Sequence, residues 1–389
     1  MANTLPTNWR EALASGAGGP RTGLTSLALW VFAHDAGAVV LDLPAGATEM
    51  SRTIQGLHQL SLMICVVVGI VVFGAMFYSM FAHSRSRNPT PATFHESTKV
   101  EIIWTVIPVL ILIAMAVPAT TVLREIEDNS DADLTVLITA SQWKWHYEYL
   151  ETGIGYYSNL STPQEQIDNK APKGEHYLRE VDRPLVIPTN KKVRFLMASN
   201  DVIHSWWVQD FAVKQDAVPG FINEAWTRVP EPGLYRGQCA ELCGKDHAFM
   251  PIVVEVRAEA EFDAWIEEER IRIALAGETA VRDRQKTWGM DELVSRGQSV
   301  YIDNCATCHQ PNGQGQGSKY PALAGSEITT GTIESHIDRV LNGKADTEMQ
   351  AWAPQLSDLD IAAVITYERN SWGNNMAEVI QPMTVYESR

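Results

Sequence analysis

Basic residues are sparse in this chain. Its 389 residues hold 31 Lys and Arg against 47 Asp and Glu, a formal net charge of −16. That balance argues against nucleic acid as a partner and fits a basic protein partner or a charged periplasmic surface. Cysteine is scarce as well, with five residues in all. Four of them form two tight clusters, Cys239/Cys243 and Cys305/Cys308, which excludes a disulfide framework and reads as cofactor ligation. The fifth, Cys65, lies in an apolar run and is read as a lipid- or helix-facing residue. No internal repeat or low-complexity segment stands out.

Charge is missing altogether from two stretches. Neither Leu57 to Ala82 nor Ile102 to Leu123 contains Asp, Glu, Lys or Arg. Each exceeds the roughly 20 residues that cross a hydrocarbon core as a helix. The segment between them carries Arg85, Arg87 and Lys99, with a turn at Asn88-Pro-Thr-Pro. By the positive-inside rule this loop is cytoplasmic, and everything after Leu123 is exported. The expected unit is a two-helix transmembrane hairpin over 53–123, with helices at about 57–82 and 102–123. Ahead of it, Leu24 to Ala33 is apolar but too short to span. Arg10 and Arg21 precede it and Ala36-Gly37-Ala38 resembles a cleavage site. A cleaved leader over 1–38 is expected, with a retained peripheral segment as the alternative.

After a charged exit, LTVLITASQWKWHYEY and PLVIPTNKKVRFLMAS alternate β-branched and aromatic residues, and EAWTRV and PIVVEVRA add shorter runs. Several short strands separated by Pro, Gly and Asn predict a β-sandwich or barrel over 131–257. From Ala258 the composition turns to helix formers, predicting a helical linker over 258–289. A third unit, 290–375, has helical patterns before Cys305 and from Ser357, which can cap, to Asn370. A tail over 376–389 follows.

Within Cys239 to Met250 stand two cysteines, His247 and Met250. Thiolates with a thioether indicate a soft metal, and copper suits them better than zinc, which seldom takes methionine. Two thiolates suggest two coppers sharing sulfur bridges, and that count requires a second imidazole. His204, in DVIHSWWV, is the candidate. The other cluster, Cys305-Ala-Thr-Cys308-His309, has the spacing of c-type haem attachment, with His309 held against the iron. A methionine further along is expected as sixth ligand, since Met/His ligation gives a high-potential carrier. Met349 lies on a loop before the last helix; Met376 and Met383 are alternatives.

Together QCAELCGKDHAFMPI, DVIHSW, VKQDAVPGF and QWKWHYEY resemble subunit II of the haem–copper cytochrome c oxidases, over about Thr53 to Val256. The resemblance implies a cupredoxin-like β-sandwich holding the binuclear CuA centre. It implies that Cys239 and Cys243 bridge the coppers, that His204 and His247 bind one each, and that Met250 and the carbonyl of Glu241 complete the sites. It further implies that the Glu241 side chain reaches a magnesium ion shared with subunit I, a plausible use of a hard carboxylate. Trp143 matches the aromatic through which electrons enter, and Glu101 the acid at the mouth of a proton channel. A helix-start glutamate favoured by the macrodipole is the other reading of Glu101.

The sequence departs from the family at Lys144, where Tyr is frequent, and LETGIGYYSNLS is poor in the carboxylates that would dock a separate basic cytochrome. The last unit resembles an all-α class I cytochrome c domain, fused as in caa3-type oxidases, and Met349 matches its ligand position. A tethered donor replaces surface attraction by effective concentration.

The implied protein is a multidomain membrane subunit that passes electrons from one covalent haem c through CuA to an oxygen site elsewhere, coupled to proton pumping. Only His58, His83 and His95 lie in the spans and their loop, too few to ligate two haems and a copper. The expected partners are therefore subunit I, with haem a, haem a3 and CuB, subunit III, an external donor such as a cytochrome c or an upstream complex, and membrane lipid. The expected location is the bacterial cytoplasmic membrane, with both cofactor domains on the periplasmic face. A quinol oxidase subunit, which lacks copper, and a copper-delivery or electron-carrier protein are the competing readings.

Overall fold

In the computed structural model the described residues are Leu43 and 46–389, apart from Pro91 and Asp346. The expected leader, with its Ala36-Gly37-Ala38 site, lies outside them.

Two long helices open the described chain: α1, Glu49–Ala82, and α2, Thr98–Ile126. Both are long and apolar enough to cross a membrane, and their apolar side chains are uncovered by the rest of the chain. Each extends beyond its uncharged run, α1 by eight residues at its start. The extension has a local cause. Thr48 caps α1 and exchanges hydrogen bonds with Ser51, each backbone N–H donating to the other's hydroxyl at 3.0 Å. The Thr48 hydroxyl also donates to the Phe211 carbonyl at 3.2 Å, tying the helix to the exported domain. At the exit of α2, the Trp226 indole donates to the Glu125 carbonyl at 3.2 Å. A polar capping pair, invisible to an apolar-run criterion, therefore sets the start of α1.

Ten strands follow: β1 Leu134–Ser141, β2 Lys144–Tyr149, β3 Ile154–Ser158, β4 Leu185–Pro188, β5 Val193–Ser199, β6 His204–Val208, β7 Val213–Ala217, β8 Asn223–Thr227, β9 Gly233–Cys239 and β10 Pro251–Arg257. They form two five-stranded sheets, ordered β3-β2-β1-β5-β8 and β4-β10-β9-β6-β7. Strand β5 shows the period of two plainly, burying Val193, Phe195, Met197 and Ser199 on one face. Phe195 meets Trp206 of the other sheet at 5.0 Å between ring centroids. Strands β3, β7 and β9 went unmarked in the sequence reading because polar or glycine residues interrupt their alternation, and β6 because it is buried almost throughout.

Helix α3, Glu259–Gln285, leaves the sandwich along Tyr149 and Tyr156, against which Trp265 packs at 5.3 and 6.2 Å. The last unit crosses α4, Met290–Asn304, with a C-terminal helix, Asp358–Asn370. Their crossing depends on Gly297, where a Cβ would lie 2.1 Å from the Ala363 carbonyl oxygen. Residues 376–389, read as a tail, return to this unit. Ile380 and Val385 are buried in its core, and Arg389 pairs with Asp358 at 2.6 Å.

Candidate metal centres

The first centre is built where β6 begins and β9 ends. These strands are neighbours, with Trp206 opposite Cys239, so His204 and Cys239 reach the same edge of the sheet. The loop after β9 then folds back to β10, carrying Cys243, His247 and Met250. The two sulfurs stand 3.9 Å apart. His204 Nδ1 lies 4.0 Å from Cys239 Sγ, and His247 Nδ1 lies 3.4 Å from Cys243 Sγ. Met250 Sδ is 3.6 Å from Cys243 Sγ, and the Glu241 carbonyl oxygen is 3.4 Å from Cys239 Sγ. All six expected donors thus converge. Among the described residues, His204, Cys239 and Cys243 are the group of His, Cys, Asp or Glu side chains close enough to hold one ion.

Supporting contacts fix these donors. His204 is fully buried, and its Nε2 lies 2.9 Å from Asp201 Oδ1. A metal-binding imidazole characteristically gives its other nitrogen to such a carboxylate. Asp201 is itself held by the Gln142 backbone N–H at 2.7 Å. The Gln142 side chain and the Trp143 indole both donate to the Cys243 carbonyl, at 2.9 and 3.2 Å, and the Trp145 indole donates to the Met250 carbonyl at 3.3 Å. The segment QWKWHYEY therefore supports the ligand loop from beneath.

The second centre sits at the end of α4. Cys305 ends that helix, and Cys308 and His309 follow within one turn, Ala306–His309. His309 Nδ1 is 2.8 Å from the Pro321 carbonyl oxygen. The only ring nitrogen that can donate to that carbonyl is a protonated Nδ1, which leaves the Nε2 lone pair for a metal. Met349 is half-buried against the apolar core of the unit.

Residues 134–257 match the family "Cytochrome C oxidase subunit II, periplasmic domain", residues 36–122 its transmembrane domain, and residues 292–367 "Cytochrome C oxidase, cbb3-type, subunit III". A protein of Rickettsia prowazekii (strain Madrid E) named "Probable cytochrome c oxidase subunit 2" is 40% identical over 239 residues, 61% of this chain and 72% of its own. The cytochrome c oxidase subunit 2 of Cereibacter sphaeroides is 37% identical over 237 residues, 58% of this chain and 78% of its own. Among solved structures, the periplasmic domain of subunit II of cytochrome oxidase of Bradyrhizobium japonicum is 38% identical. It covers 36% of this chain and 96% of its own length, with a TM-score of 0.33. This chain belongs to the cytochrome c oxidase subunit II family.

The subunit is accordingly a two-helix membrane protein with an extracellular cupredoxin-like β-sandwich and a fused helical cytochrome c domain, and it works in complex with subunit I. Its domains imply CuA and haem c, and the donor chemistry fits both. Two thiolates, two imidazole Nδ1 atoms, a thioether and a carbonyl form a soft, nitrogen–sulfur set suited to copper. Two thiols followed by an imidazole with its far nitrogen already occupied suit a haem.

Electrostatics prepare the copper site. A hydrogen bond from the Cys243 thiol lowers Cys239 against the effect of burial, with His204 assisting, while the same bond and burial push Cys243 up. The metal-free pair thus keeps one proton, which copper must displace. Burial disfavours charge on His204, but the hydrogen bonds to Asp201 and Cys239 outweigh it and raise its pKa.

The other expected residues are placed as follows. Trp143 is half-buried beside Cys243. The Glu241 side chain is exposed on the copper loop. Glu101 is exposed in the first turn of α2, where it accepts the Ser97 backbone N–H at 3.4 Å. Met376 is half-buried and Met383 lies exposed on the final helix, Pro382–Glu387. The sequence reading missed Asp201 and Gln142. An acid three residues before a candidate ligand histidine was the available signal for Asp201; nothing local marks Gln142, whose role comes from a fold-level approach to Cys243.

Proposed function

We propose that this subunit takes electrons at a haem c bound by Cys305, Cys308, His309 and Met349 and delivers them, through CuA at His204, Cys239, Glu241, Cys243, His247 and Met250, to subunit I. Oxygen reduction there drives proton pumping. The observation carrying this reading is the convergence of six donors, His204 from β6 and five from the segment joining β9 to β10, whose Lys245 also donates to the Thr307 carbonyl, inside the haem motif, at 2.7 Å. The bound metals would supply reversible one-electron chemistry. The protein holds the donors still: Asp201 fixes His204, the Pro321 carbonyl fixes His309, and Gln142, Trp143 and Trp145 fix the backbone of the ligand loop.

A haem held here would be attached by adding the Cys305 and Cys308 S–H groups across its two vinyl double bonds, which would give thioethers with no oxidant consumed. Burial pushes both thiols up, which keeps their protons in place before that addition. In the same reading Trp143 is the aromatic through which electrons enter, Glu101 stands at the mouth of the proton channel, and the Glu241 carboxylate joins a magnesium site completed by subunit I. Subunit III and an external cytochrome or upstream complex complete the partners, in a bacterial cytoplasmic membrane. The working divisions are a hairpin at 53–123, a copper domain at 131–257, a linker at 258–289 and a haem domain from 290.

The test is an EPR spectrum of the purified full-length subunit with haem attached and copper loaded. An electron shared over two coppers gives about seven hyperfine lines, against about four for one, the number expected from the two-thiolate count. Four lines, or no bound copper, would overturn the reading.

A further inference from the structure

The haem unit and the copper domain touch at three places. Lys144, at the start of β2, is only 7% exposed, and its Nζ lies 4.3 Å from the ring centroid of Trp352, itself 6% exposed, in the haem unit. Gln350, the neighbour of Met349, donates from Nε2 to the Gln142 carbonyl at 3.3 Å. Lys245, between Cys243 and His247, donates to the Thr307 carbonyl, between Cys305 and Cys308.

These contacts are not scattered. Two of them join a residue beside the expected haem ligands with one that touches or flanks Cys243, and the third, Lys144–Trp352, lies two residues along from Gln142 and two from Gln350. Gln142 takes part on both sides, accepting from Gln350 through its carbonyl and donating from its amide to the Cys243 carbonyl at 2.9 Å. A short hydrogen-bonded route therefore runs from Met349–Gln350 through Gln142 to Cys243. Lys144 does no work in either ligand set, yet a lysine is an expensive side chain to bury. Its ammonium is spent on an aromatic ring across the domain boundary, and cation–π attraction strengthens when the pair is shielded from water.

We infer that Lys144 is a positioning residue: by gripping Trp352 it latches the haem unit onto the copper loop in the one orientation that closes the Gln350–Gln142 bridge. This rests on the reading that haem and copper occupy the two centres. A haem unit that reached copper by diffusing on a loose tether would be indifferent to Lys144. A latched one transfers electrons from a single docked geometry.

The experiment uses the assembled oxidase and follows electron transfer from haem to copper after photoreduction of the haem. Lys144→Met should slow this step about ten-fold, the consequence of losing a buried cation–π contact. Lys144→Arg, which keeps the charge and can lie over the ring, should restore most of the rate. The copper EPR signal and the haem potential should match the parent in both, since neither change touches a ligand. Gln350→Ala, on the haem side, removes the bridge without altering the sandwich and should slow transfer independently; it also decides the matter if Lys144→Met fails to assemble. Parent-like rates in Lys144→Met with intact metal signals, or in Gln350→Ala where Lys144→Met does not assemble, would overturn the latch. Loss of the seven-line copper signal in the parent itself would instead overturn the assignment of the centres.

Discussion

Asp201 holds His204 from behind: its Oδ1 lies 2.9 Å from Nε2, while Nδ1 of the same ring faces Cys239 Sγ at 4.0 Å. One carboxylate thereby chooses which imidazole nitrogen is offered to copper, and it does so inside a fully buried residue. Asp201→Ala removes that choice and also frees the Gln142 N–H. Copper affinity of the subunit should fall by about 10- to 100-fold, the usual penalty for losing such a partner. Asp201→Asn, which can still accept a hydrogen bond, should fall between. A competition titration with a copper chelator, read by the EPR amplitude, measures this; unchanged affinity in Asp201→Ala would mean that His204 is positioned by packing alone.

Much of this centre was legible in advance because its donors are chemically unusual and close in sequence. Cys239, Cys243, His247 and Met250 advertise a soft metal by residue type alone, and only His204 had to be sought elsewhere. What stayed hidden has a common physical cause. Gln142, Lys144 and Trp352 act through contacts between segments distant in sequence, which no local pattern encodes. Strand β6 was hidden for another reason: His204–Val208 is buried almost throughout, so it shows no alternation.

Gly297 carries the crossing of the two main helices of the haem unit. Besides the Ala363 oxygen at 2.1 Å, an added Cβ would meet Tyr367 Cβ at 2.7 Å. Neither contact is the far end of a flexible chain, so the helices must separate. Gly297→Ala should destabilise the haem unit by about 1–3 kcal/mol, the range for overpacking, and Gly297→Val by more. Denaturant unfolding followed by haem absorbance should show the midpoint moving to lower concentration, with the copper EPR signal retained. Equal stability of Gly297→Ala and the parent would show that the crossing has slack.

Met349 sits on the loop before the helix Asp358–Asn370 and packs on the apolar core of the haem unit. As sixth ligand it would hold the haem at high potential, since a thioether favours reduced iron. Met349→His should therefore lower the midpoint potential by on the order of a few tenths of a volt, within the roughly 0.8 V range that axial ligands span. Covalent attachment should persist, because Cys305 and Cys308 are untouched. A redox titration of the purified subunit checks this, and a parent-like potential would transfer the ligand role to Met376 or Met383.

The latch at Lys144 has a pH signature of its own. Burial lowers this lysine to about 8, with Cys305 and Asp201 opposing the shift. Once Cys305 is a thioether its opposition ends, leaving Asp201 as the carboxylate that favours the ammonium; the other groups beside it are the rings of Tyr157 and Trp352. With that opposition gone the lysine titrates below about 8: at lower pH the ammonium is present and grips Trp352, and it is lost as pH rises toward about 8. Haem-to-copper transfer should accordingly slow as pH rises toward that value, while Lys144→Met shows no such break. Stability runs the other way. The folded chain releases this proton at lower pH than the unfolded chain, whose lysines titrate near about 10.4. Between those values the unfolded state binds more protons, so the Lys144 contribution to stability rises with pH. A transfer rate that falls while unfolding resistance holds or grows identifies loss of the latch. A parallel fall in both, or a break that persists in Lys144→Met, would assign the pH effect to another group.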